Sequence, residues 1–260
     1  MNDTSLFRPP CEKPQPAWLS ISRLTPSQLY ISAEKLRQVR TWFRTDLAGM
    51  EPVPVKKLAG RLLLTDGHTR ACAAWLAGCK QIPCVWDRDD MDWAAYAADI
   101  NMCAEEGITS IPALAERIVS AEDYRHLWQD RCDAMYDTWY YKVLRQEKET
   151  IYFTNTSVQT VDFDIRPADI GVDTGEYYRL YANGIPAALG CIEKYSFAFW
   201  EAADIHVNPA FRGKRYGTAV TAYLTNRILA AGKTATCRTL PENLPMRAII
   251  QKCGYEPLYT

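Results

Sequence analysis

One stretch of the sequence, from Asp204 to Thr218, constrains the fold more than any other. It reads Asp-Ile-His-Val-Asn-Pro-Ala-Phe-Arg-Gly-Lys-Arg-Tyr-Gly-Thr, so a strand-like segment ends at a proline and a loop rich in glycine and cations opens a helix. Gly213 and Gly217 allow a ligand to approach the backbone closely, and helix N-termini favour anions. The stretch predicts a phosphate or pyrophosphate cradle; a basic surface turn before an ordinary helix is the alternative.

Composition limits the class of protein. The chain has 260 residues, 48% hydrophobic and 23% charged, which is typical of a soluble folded protein with one large or two small domains. Thirty Lys and Arg balance 31 Asp and Glu, so the charge gives no support to nucleic acid as a partner. No apolar run is long enough for a membrane span. Nine scattered cysteines indicate reduced thiols and a cytoplasmic location, and three widely spaced histidines predict no metal site.

The hydrophobic periodicity changes from helical to strand-like near Thr150, which predicts an α/β (α+β) protein with two domains. We expect the C-terminal domain to be a mixed sheet with flanking helices and the N-terminal domain to be a small α/β unit. A helical segment is predicted to join them. The expected boundaries are an extended arm over 1–21, the small unit over 22–92, the connector over 93–150 and the larger domain over 151–260.

The C-terminal domain resembles the GCN5-related N-acetyltransferase (GNAT) superfamily. That family has a strand ending in Val-x-Pro, an acyl-CoA loop of the form Arg/Gln-x-x-Gly-x-Gly/Ala, a helix, a strand, and an Asn opening a short helix that ends in Gly-Phe. Here Val207-Asn-Pro and Arg212-Gly-Lys-Arg-Tyr-Gly are followed by the same order of elements up to Gly254-Tyr. The resemblance covers roughly residues 177–257.

The resemblance implies acetyl-CoA as co-substrate and an amine acceptor, either a small molecule or a peptide. It implies that the main chain of Val207 binds pantetheine, that the loop after Phe211 holds the pyrophosphate, and that Asn243 contacts the pantetheine arm. The implied donor-binding residues are Val207, Arg212, Gly213, Lys214, Arg215, Tyr216, Gly217, Thr218 and Asn243.

Three features depart from the family pattern. Arg215 stands where the family has the first glycine of its motif. Ile250 stands where many members have a tyrosine that protonates the leaving thiolate, so Tyr223, Tyr255 or water would have to serve. The short segment between Ile165 and Tyr177 has no room for the two helices that usually form the acceptor wall, so residues before 150 would have to form that wall.

Amine acylation needs a base that removes a proton from the acceptor's ammonium group. Glu201 is the first candidate because it lies 11 residues before Arg212, about where histone-type members have a Glu, and Asp204 and His206 are alternatives. Strict alternation places Glu201 with Val207 on one face of the strand, and Asp204 with His206 on the other. Only one face of the strand can line a cleft, although a β-bulge in this strand would change which of these side chains share a face. Surface charges on an exposed strand are the alternative interpretation of all three.

The N-terminal unit contains a second marked stretch, in which a strand delivers Asp66-Gly67 to a turn and an Ala-rich helix follows. His68 and Arg70 at the helix start predict a phosphate site. With Gly78 and a Pro-containing strand, residues 22–92 resemble the ParB/sulfiredoxin-like superfamily, which includes partitioning proteins, a sulfinic-acid reductase and nucleotide-dependent kinases. A unit that only packs against its neighbour, with Asp66 capping the helix, is the alternative.

The sequence therefore predicts an acyl-CoA-dependent N-acyltransferase, with a ParB-like unit that shapes or recognises the acceptor. Two alternatives remain: a non-catalytic sensor that binds CoA or a nucleotide, and nucleotide-dependent phosphoryl transfer at Asp66–Arg70. Acceptor identity and oligomeric state are left open.

Overall fold

A computed structural model describes residues 16–138, 141–142, 149–160, 162–170 and 175–258. The N-terminal half contains a five-stranded sheet in the order β1-β6-β4-β5-β2. A short parallel pair, β3 with β7, lies beside it. The strands are β1 (Ala17–Ser20), β2 (Leu24–Thr25), β3 (Ile31–Ser32), β4 (Val53–Leu58), β5 (Arg61–Leu64), β6 (Gln81–Trp86) and β7 (Ile118–Val119).

Two features of this half follow from local sequence. Strand β1 lies within the predicted arm and pairs antiparallel with β6 at the sheet edge; residues 1–15 of the arm are outside the described chain. Gly67 has φ +79°, and a Cβ there would lie 2.7 Å from Val53 Cγ1, so this turn requires glycine. The helices of this half are α1 (Ala33–Trp42), α2 (His68–Leu76), α3 (Trp93–Glu105) and α4 (Ile111–Leu114).

The connector is helical at Ala121–Met135, as its periodicity predicts, but one helix type does not run through it. Helix α5 (Ala121–Tyr124) passes into a π-helical turn, Arg125–Gln129, and then into α6 (Asp130–Met135). The Ser120 hydroxyl caps α5 by accepting a hydrogen bond from the Asp123 N–H at 3.0 Å. Trp128 and Met135 are buried in the core of the N-terminal half, so this helical stretch packs on that half.

The C-terminal half contains a seven-stranded sheet in the order β14-β8-β13-β12-β11-β10-β9. Strand β8 is the first strand of this sheet along the chain, but it lies beside β13, near the end of the sheet opposite β9. Only β12 and β13 of this sheet are parallel within the described chain. The strands are β8 (Thr150–Thr154), β9 (Asp164–Pro167), β10 (Glu176–Ala182), β11 (Ile185–Glu193), β12 (Phe199–Val207), β13 (Thr234–Thr239) and β14 (Glu256–Pro257).

Helices α7 (Tyr216–Ala230) and α8 (Leu244–Lys252) cover one face of this sheet. Val220, Leu224 and Ile228 of α7 are fully buried against small residues of the strands. Gly190 is needed in β11 because a Cβ there would lie 2.7–2.9 Å from Ile205, Val220 and Leu224. The helix start that carries the glycine- and cation-rich loop is therefore packed directly on the centre of the sheet.

The two halves share a core. Phe153, Tyr195 and Phe199 of the C-terminal sheet belong to the same buried cluster as the N-terminal strands. Backbone contacts also join them: the Ala59 N–H donates to the Leu258 carbonyl at 2.9 Å, and the Ala198 N–H donates to Oδ1 of the buried Asn101 at 2.9 Å. The N-terminal half thus packs on the sheet face opposite α7. None of the described helices has the length and apolar character needed to cross a bilayer.

Candidate active site

The two parallel strands of the C-terminal sheet form a fork. They pair only from Phe199 with Thr234 to Glu201 with Thr236, although β12 continues to Val207. The Asn208 N–H donates to the Ala187 carbonyl on β11 at 2.9 Å. Since successive residues of a strand direct their backbone groups to opposite sides, the N–H and C=O of Val207 point into the fork.

A cavity of about 650 Å³ lies beside this open edge of β12. Its other walls are the loop before α7 and the first turns of α8, and its apolar part includes Met246 and Ile249. The structure brings the predicted donor-binding residues together here, with the exception of Lys214. Those that line the cavity are Val207, Arg212, Gly213, Arg215, Tyr216, Gly217, Thr218 and Asn243.

The loop before α7 presents free backbone donors. In the described chain no backbone acceptor pairs with the N–H groups of Gly213, Lys214 or Arg215, and the N–H groups of a first helical turn have no acceptor within the helix. Gly213 has φ +78° and Arg215 has φ +64°. Left-handed residues alternating with ordinary ones form a nest suited to anions. Arg215 thus adopts a left-handed conformation that glycine takes without strain, at a cost of roughly 1–2 kcal/mol.

Two further predicted residues shape the cavity. A Cβ on Gly217 would lie 2.9 Å from Ile249 Cδ1 and 3.2 Å from Val207 Cγ2, so glycine lets α7 begin close to β12 and α8. The Asn243 side chain caps α8 by accepting a hydrogen bond from the Met246 N–H at 3.2 Å. Its amide nitrogen remains available as a donor to a ligand in the cavity.

A β-bulge in β12 changes which side chains share a face. Leu189 pairs with His206 and Cys191 with Ala203, so β12 has one extra residue at this point, where Asp204 has φ +52°. Val207 packs with the α7 side of the sheet, whereas Glu201 contacts the opposite side. The expectation that strict alternation keeps Glu201 with Val207 is therefore wrong.

His206 and Asp204 are in contact at the rim of the cavity. His206 Nε2 lies 2.6 Å from Asp204 Oδ1, and the Tyr177 hydroxyl donates to Asp204 Oδ2 at 3.1 Å. His206 is 71% exposed at its side chain and lines the cavity. Asp204 can therefore orient the imidazole, while the second ring nitrogen is left for a substrate.

Glu201 does not line this cavity; it lies at the base of the fork, 3% exposed. Both of its carboxylate oxygens accept hydrogen bonds from Arg238, with the shortest N–O distance 2.7 Å. Burial raises the pKa of Glu201, and Arg238 opposes that rise. A carboxylate held on both oxygens by a guanidinium has little capacity to take a proton from an acceptor. The sequence could not reveal this because Arg238 is distant in the chain.

Ile250 replaces a tyrosine that would protonate the leaving thiolate, and the two tyrosines predicted to serve in its place lie outside the cavity. Tyr255 is buried, its hydroxyl is 2.7 Å from Thr225 Oγ1, and burial raises its pKa. Tyr223 packs edge-on against Tyr178, with ring centroids 5.3 Å apart. Neither ring lines the cavity, so water is the remaining one of the predicted proton donors.

The predicted N-terminal phosphate residues have other partners. Nε2 of the buried His68 accepts a hydrogen bond from the Ser27 N–H at 3.1 Å, and burial lowers the pKa of His68 to about 4, so its ring is neutral at pH 7. Arg70 lies 3.4 Å from the Asp66 carboxylate and 3.7 Å from that of Glu51. Asp66 does not cap α2, whose N-cap is Gly67. The predicted cations are thus neutral or already paired.

The acidic and thiol side chains offer no evident metal site. Within the described ranges, no three His, Cys, Asp or Glu side chains cluster in a way that would hold a metal ion. Burial raises the pKa values of Cys72, Cys191 and Cys253 to about 12, about 12 and about 11. These thiols are protonated at neutral pH and are poor nucleophiles.

Comparison with known structures gives distant similarities. A GNAT-family acetyltransferase from Colwellia psychrerythraea is 16% identical with a TM-score of 0.36, covering 46% of this chain and 58% of its own. A GCN5-related N-acetyltransferase from Kribbella flavida is 16% identical with a TM-score of 0.36, covering 46% and 60%. The chain thus spans about three fifths of these proteins. A free serine kinase in complex with ADP is 11% identical with a TM-score of 0.24, covering 95% and 77%.

The sequence profile of the acetyltransferase (GNAT) family matches residues 121–255, slightly more than half of the chain. This match includes the fork, the loop before α7 and the helix capped by Asn243, and it does not reach the N-terminal sheet. A search of curated proteins returned no match. The chain belongs to the GNAT family of acetyltransferases.

Proposed function

We propose that this chain is an N-acyltransferase that uses an acyl-CoA, with acetyl-CoA as the donor, and an amine as the acceptor. The observation that carries the proposal is the combination of an open strand fork with a nest of free backbone donors at one end of a single cavity. This arrangement suits a ligand with a diphosphate and a narrow amide-containing arm, because diphosphate needs several N–H donors and the arm needs a strand edge.

The proposed donor site uses main-chain and side-chain groups together. The N–H groups of the loop before α7 would hold the diphosphate, assisted by Arg212 and Arg215. Val207 would pair with the amides of the pantetheine arm as a neighbouring strand does, and Asn243 would donate to that arm. Main-chain donors near Val207 would polarise the thioester carbonyl.

His206 is the base that the geometry supports best. The amine nitrogen attacks the thioester carbon, His206 accepts the ammonium proton, the carbon–sulfur bond breaks, and CoA leaves as a thiolate. Asp204 and Tyr177 would keep the imidazole oriented through the 2.6 Å and 3.1 Å contacts. A thiol has an ordinary pKa of about 8.5, so the thiolate can leave without a tyrosine acid and take its proton from water.

We propose a separate role for Glu201 and Arg238. Their contact joins β12 to β13 where the pairing of the two strands ends, so it would set the width of the fork rather than transfer a proton. This proposal replaces Glu201 with His206 as the base.

The N-terminal half enters the proposal as the acceptor-side module. Only a short connection joins β9 to β10, and the N-terminal half packs on the face of the sheet opposite α7. The similarity of residues 22–92 to the ParB/sulfiredoxin-like superfamily stays part of this proposal, as does the division of the chain at residues 21, 92 and 150. The pairing of Arg70 and the neutral His68 argue against phosphoryl transfer there.

Release of CoA thiol from acetyl-CoA with a panel of amines tests the proposal. We expect turnover with at least one amine, a loss of at least about 100-fold in His206→Gln, and a smaller loss in Asp204→Asn. His126→Gln is the matched control, because His126 is also exposed and lies 3.0 Å from Asp130, far from the fork in sequence. Binding of acetyl-CoA without turnover for any amine would instead favour a CoA sensor.

A further inference from the structure

One row of side chains crosses the C-terminal sheet on the face opposite α7. His206 on β12 pairs with Leu189 on β11, and Leu189 pairs with Arg179 on β10. Tyr178 and Leu180, which flank Arg179, pack with α7, so alternation directs Arg179 to the opposite face. Leu189 packs in neither buried cluster of the described chain, so neither hydrophobic core covers the row. The row therefore joins the proposed base to a cation, with one apolar residue between them.

Arg179 is a partly buried cation without a counter-ion. Among the residues that the structure describes, no carboxylate forms an ion pair with it. Its neighbour on β9, Arg166, is by contrast paired with Asp164 at 2.7 Å. A guanidinium presents a planar fork of donors that matches the two oxygens of a carboxylate. Arg179 is therefore available to an anionic group of a ligand.

The other end of the row has the opposite charge. Asp204 contacts His206, and Glu193 lies on the same face, beside Glu201 in the strand pairing. Glu201 is paired with Arg238, whereas Glu193 forms no ion pair within the described ranges. Burial raises the pKa of Glu193, Arg238 opposes that rise, and the nearby Asp204 carboxylate adds to it. A negative region beside the base attracts the ammonium form of an acceptor.

The spacing of the row sets the size of a ligand that spans it. Directly paired residues of antiparallel strands have Cα atoms about 5 Å apart, so His206 and Arg179, two strands apart, are separated by about 10 Å. Both side chains leave the sheet on the same face. Hydrogen bonds of about 3 Å at each end leave about 4 Å for the ligand. That length suits the amine nitrogen and the carboxylate of an α- or β-amino acid.

We infer that the acceptor is a free amino acid, with its carboxylate on Arg179, its carbon atoms over Leu189 and its amine at His206. This inference rests on the proposed function. The ammonium group gives a proton to His206, and the amine nitrogen then forms a bond with the thioester carbon. The carbon–sulfur bond breaks, the sulfur keeps the electron pair, and the products are an N-acyl amino acid and CoA. The product has lost its positive charge, so the region of Asp204 and Glu193 no longer attracts it.

Release of CoA thiol from acetyl-CoA by the full chain, measured with a set of amino acids, tests this inference. Each amino acid is compared with its carboxamide and with the amine that lacks the carboxyl group. We expect kcat/KM for the best amino acid to exceed that for both analogues by at least about tenfold, the difference that a lost charge-assisted hydrogen bond produces. Arg179→Gln should abolish this preference by raising KM for the amino acid, with little change for the analogues. Arg179→Lys keeps the charge without the planar fork and should retain part of the preference.

Arg166→Gln is the matched control, because Arg166 lies beside Arg179 in the strand pairing but is already paired with Asp164. It should leave the preference unchanged. Turnover of the analogues as fast as that of the amino acids, or a preference that survives Arg179→Gln, would overturn the inference and leave the acyltransferase proposal intact. A higher kcat/KM for phosphoethanolamine would also overturn it, because Arg179 would then select a phosphate. Failure of every amine, the analogues included, to release thiol would reject the proposed function itself.

Discussion

Removing one partner of the Glu201–Arg238 ion pair should destabilise the fold strongly. The two side chains are 4% and 11% exposed, so the partner that remains would be a buried, poorly solvated charge. Such changes cost about 3–5 kcal/mol. We therefore expect Glu201→Ala to lower the free energy of unfolding by about that amount.

The structure gives the same range by a second route. Arg238 donates to both Glu201 oxygens at 2.7–2.9 Å, a bidentate contact between two elements whose direct backbone pairing ends at Glu201. Hydrogen bonds to charged groups contribute about 1.5–3 kcal/mol each, and two of them reach the range above. Replacing both partners, in Glu201→Met with Arg238→Met, should recover most of the loss, because no unpaired charge remains.

Urea unfolding followed by circular dichroism measures these free energies, and thiol release measures activity in the same variants. We expect the double variant to remain folded and to keep measurable amine-dependent turnover. A double variant that is stable but has lost turnover by about 100-fold or more would refute the reasoning, since that is the loss expected when a general base is removed. Glu201 would then be needed for the reaction itself and not only for the stability of the fold.

Three further changes test other parts of the structure. Burial lowers the pKa of His68 from 6.5 to about 4, so acid favours the unfolded state, and about 3 kcal/mol of stability should be lost as the pH falls from 6.5 to 4. The midpoint of urea unfolding, measured at several pH values, should depend less on pH in His68→Gln than in the wild type. An unchanged pH dependence in this variant contradicts this account. Arg215→Gly should raise the free energy of unfolding by about 1 kcal/mol, because glycine adopts the left-handed conformation without strain. The control Lys214→Gly should lower the free energy of unfolding. A lower free energy of unfolding in both variants would show that Arg215 is not strained. Gly217→Ala should weaken acetyl-CoA binding by about 1 kcal/mol, because the new methyl group would lie 2.9 Å from Ile249 Cδ1 and displace that side chain within the donor cavity. Unchanged affinity in calorimetry would contradict the assignment of that cavity.

The donor loop could be predicted from the sequence because its signals are local. A strand, a proline, a glycine- and cation-rich turn and a helix follow one another within a short stretch, and the structure places Val207 and Gly217 on the same cavity. The Asn243 cap is also a local signal, since the side chain bonds three residues ahead. The family match over 121–255 agrees with this prediction.

The remainder of the site depends on contacts between distant residues. The bulge at Asp204 has no glycine to mark it, and it puts Glu201 and Val207 on opposite faces of β12, where strict alternation puts them on one face. The partner of Glu201 lies 37 residues away, on a strand that pairs with β12 only at its start. The position of β8 beside β13 likewise depends on tertiary packing between segments that are distant in sequence. Periodicity describes single elements, so it cannot supply these pairings.

The most direct measurement of the central claim is calorimetric titration of the purified full chain with acetyl-CoA. The account predicts saturable binding of one acetyl-CoA per chain, because the nest before α7 and the open edge at Val207 line a single cavity. Absence of binding at millimolar acetyl-CoA, in a sample shown by circular dichroism to be folded, would contradict it.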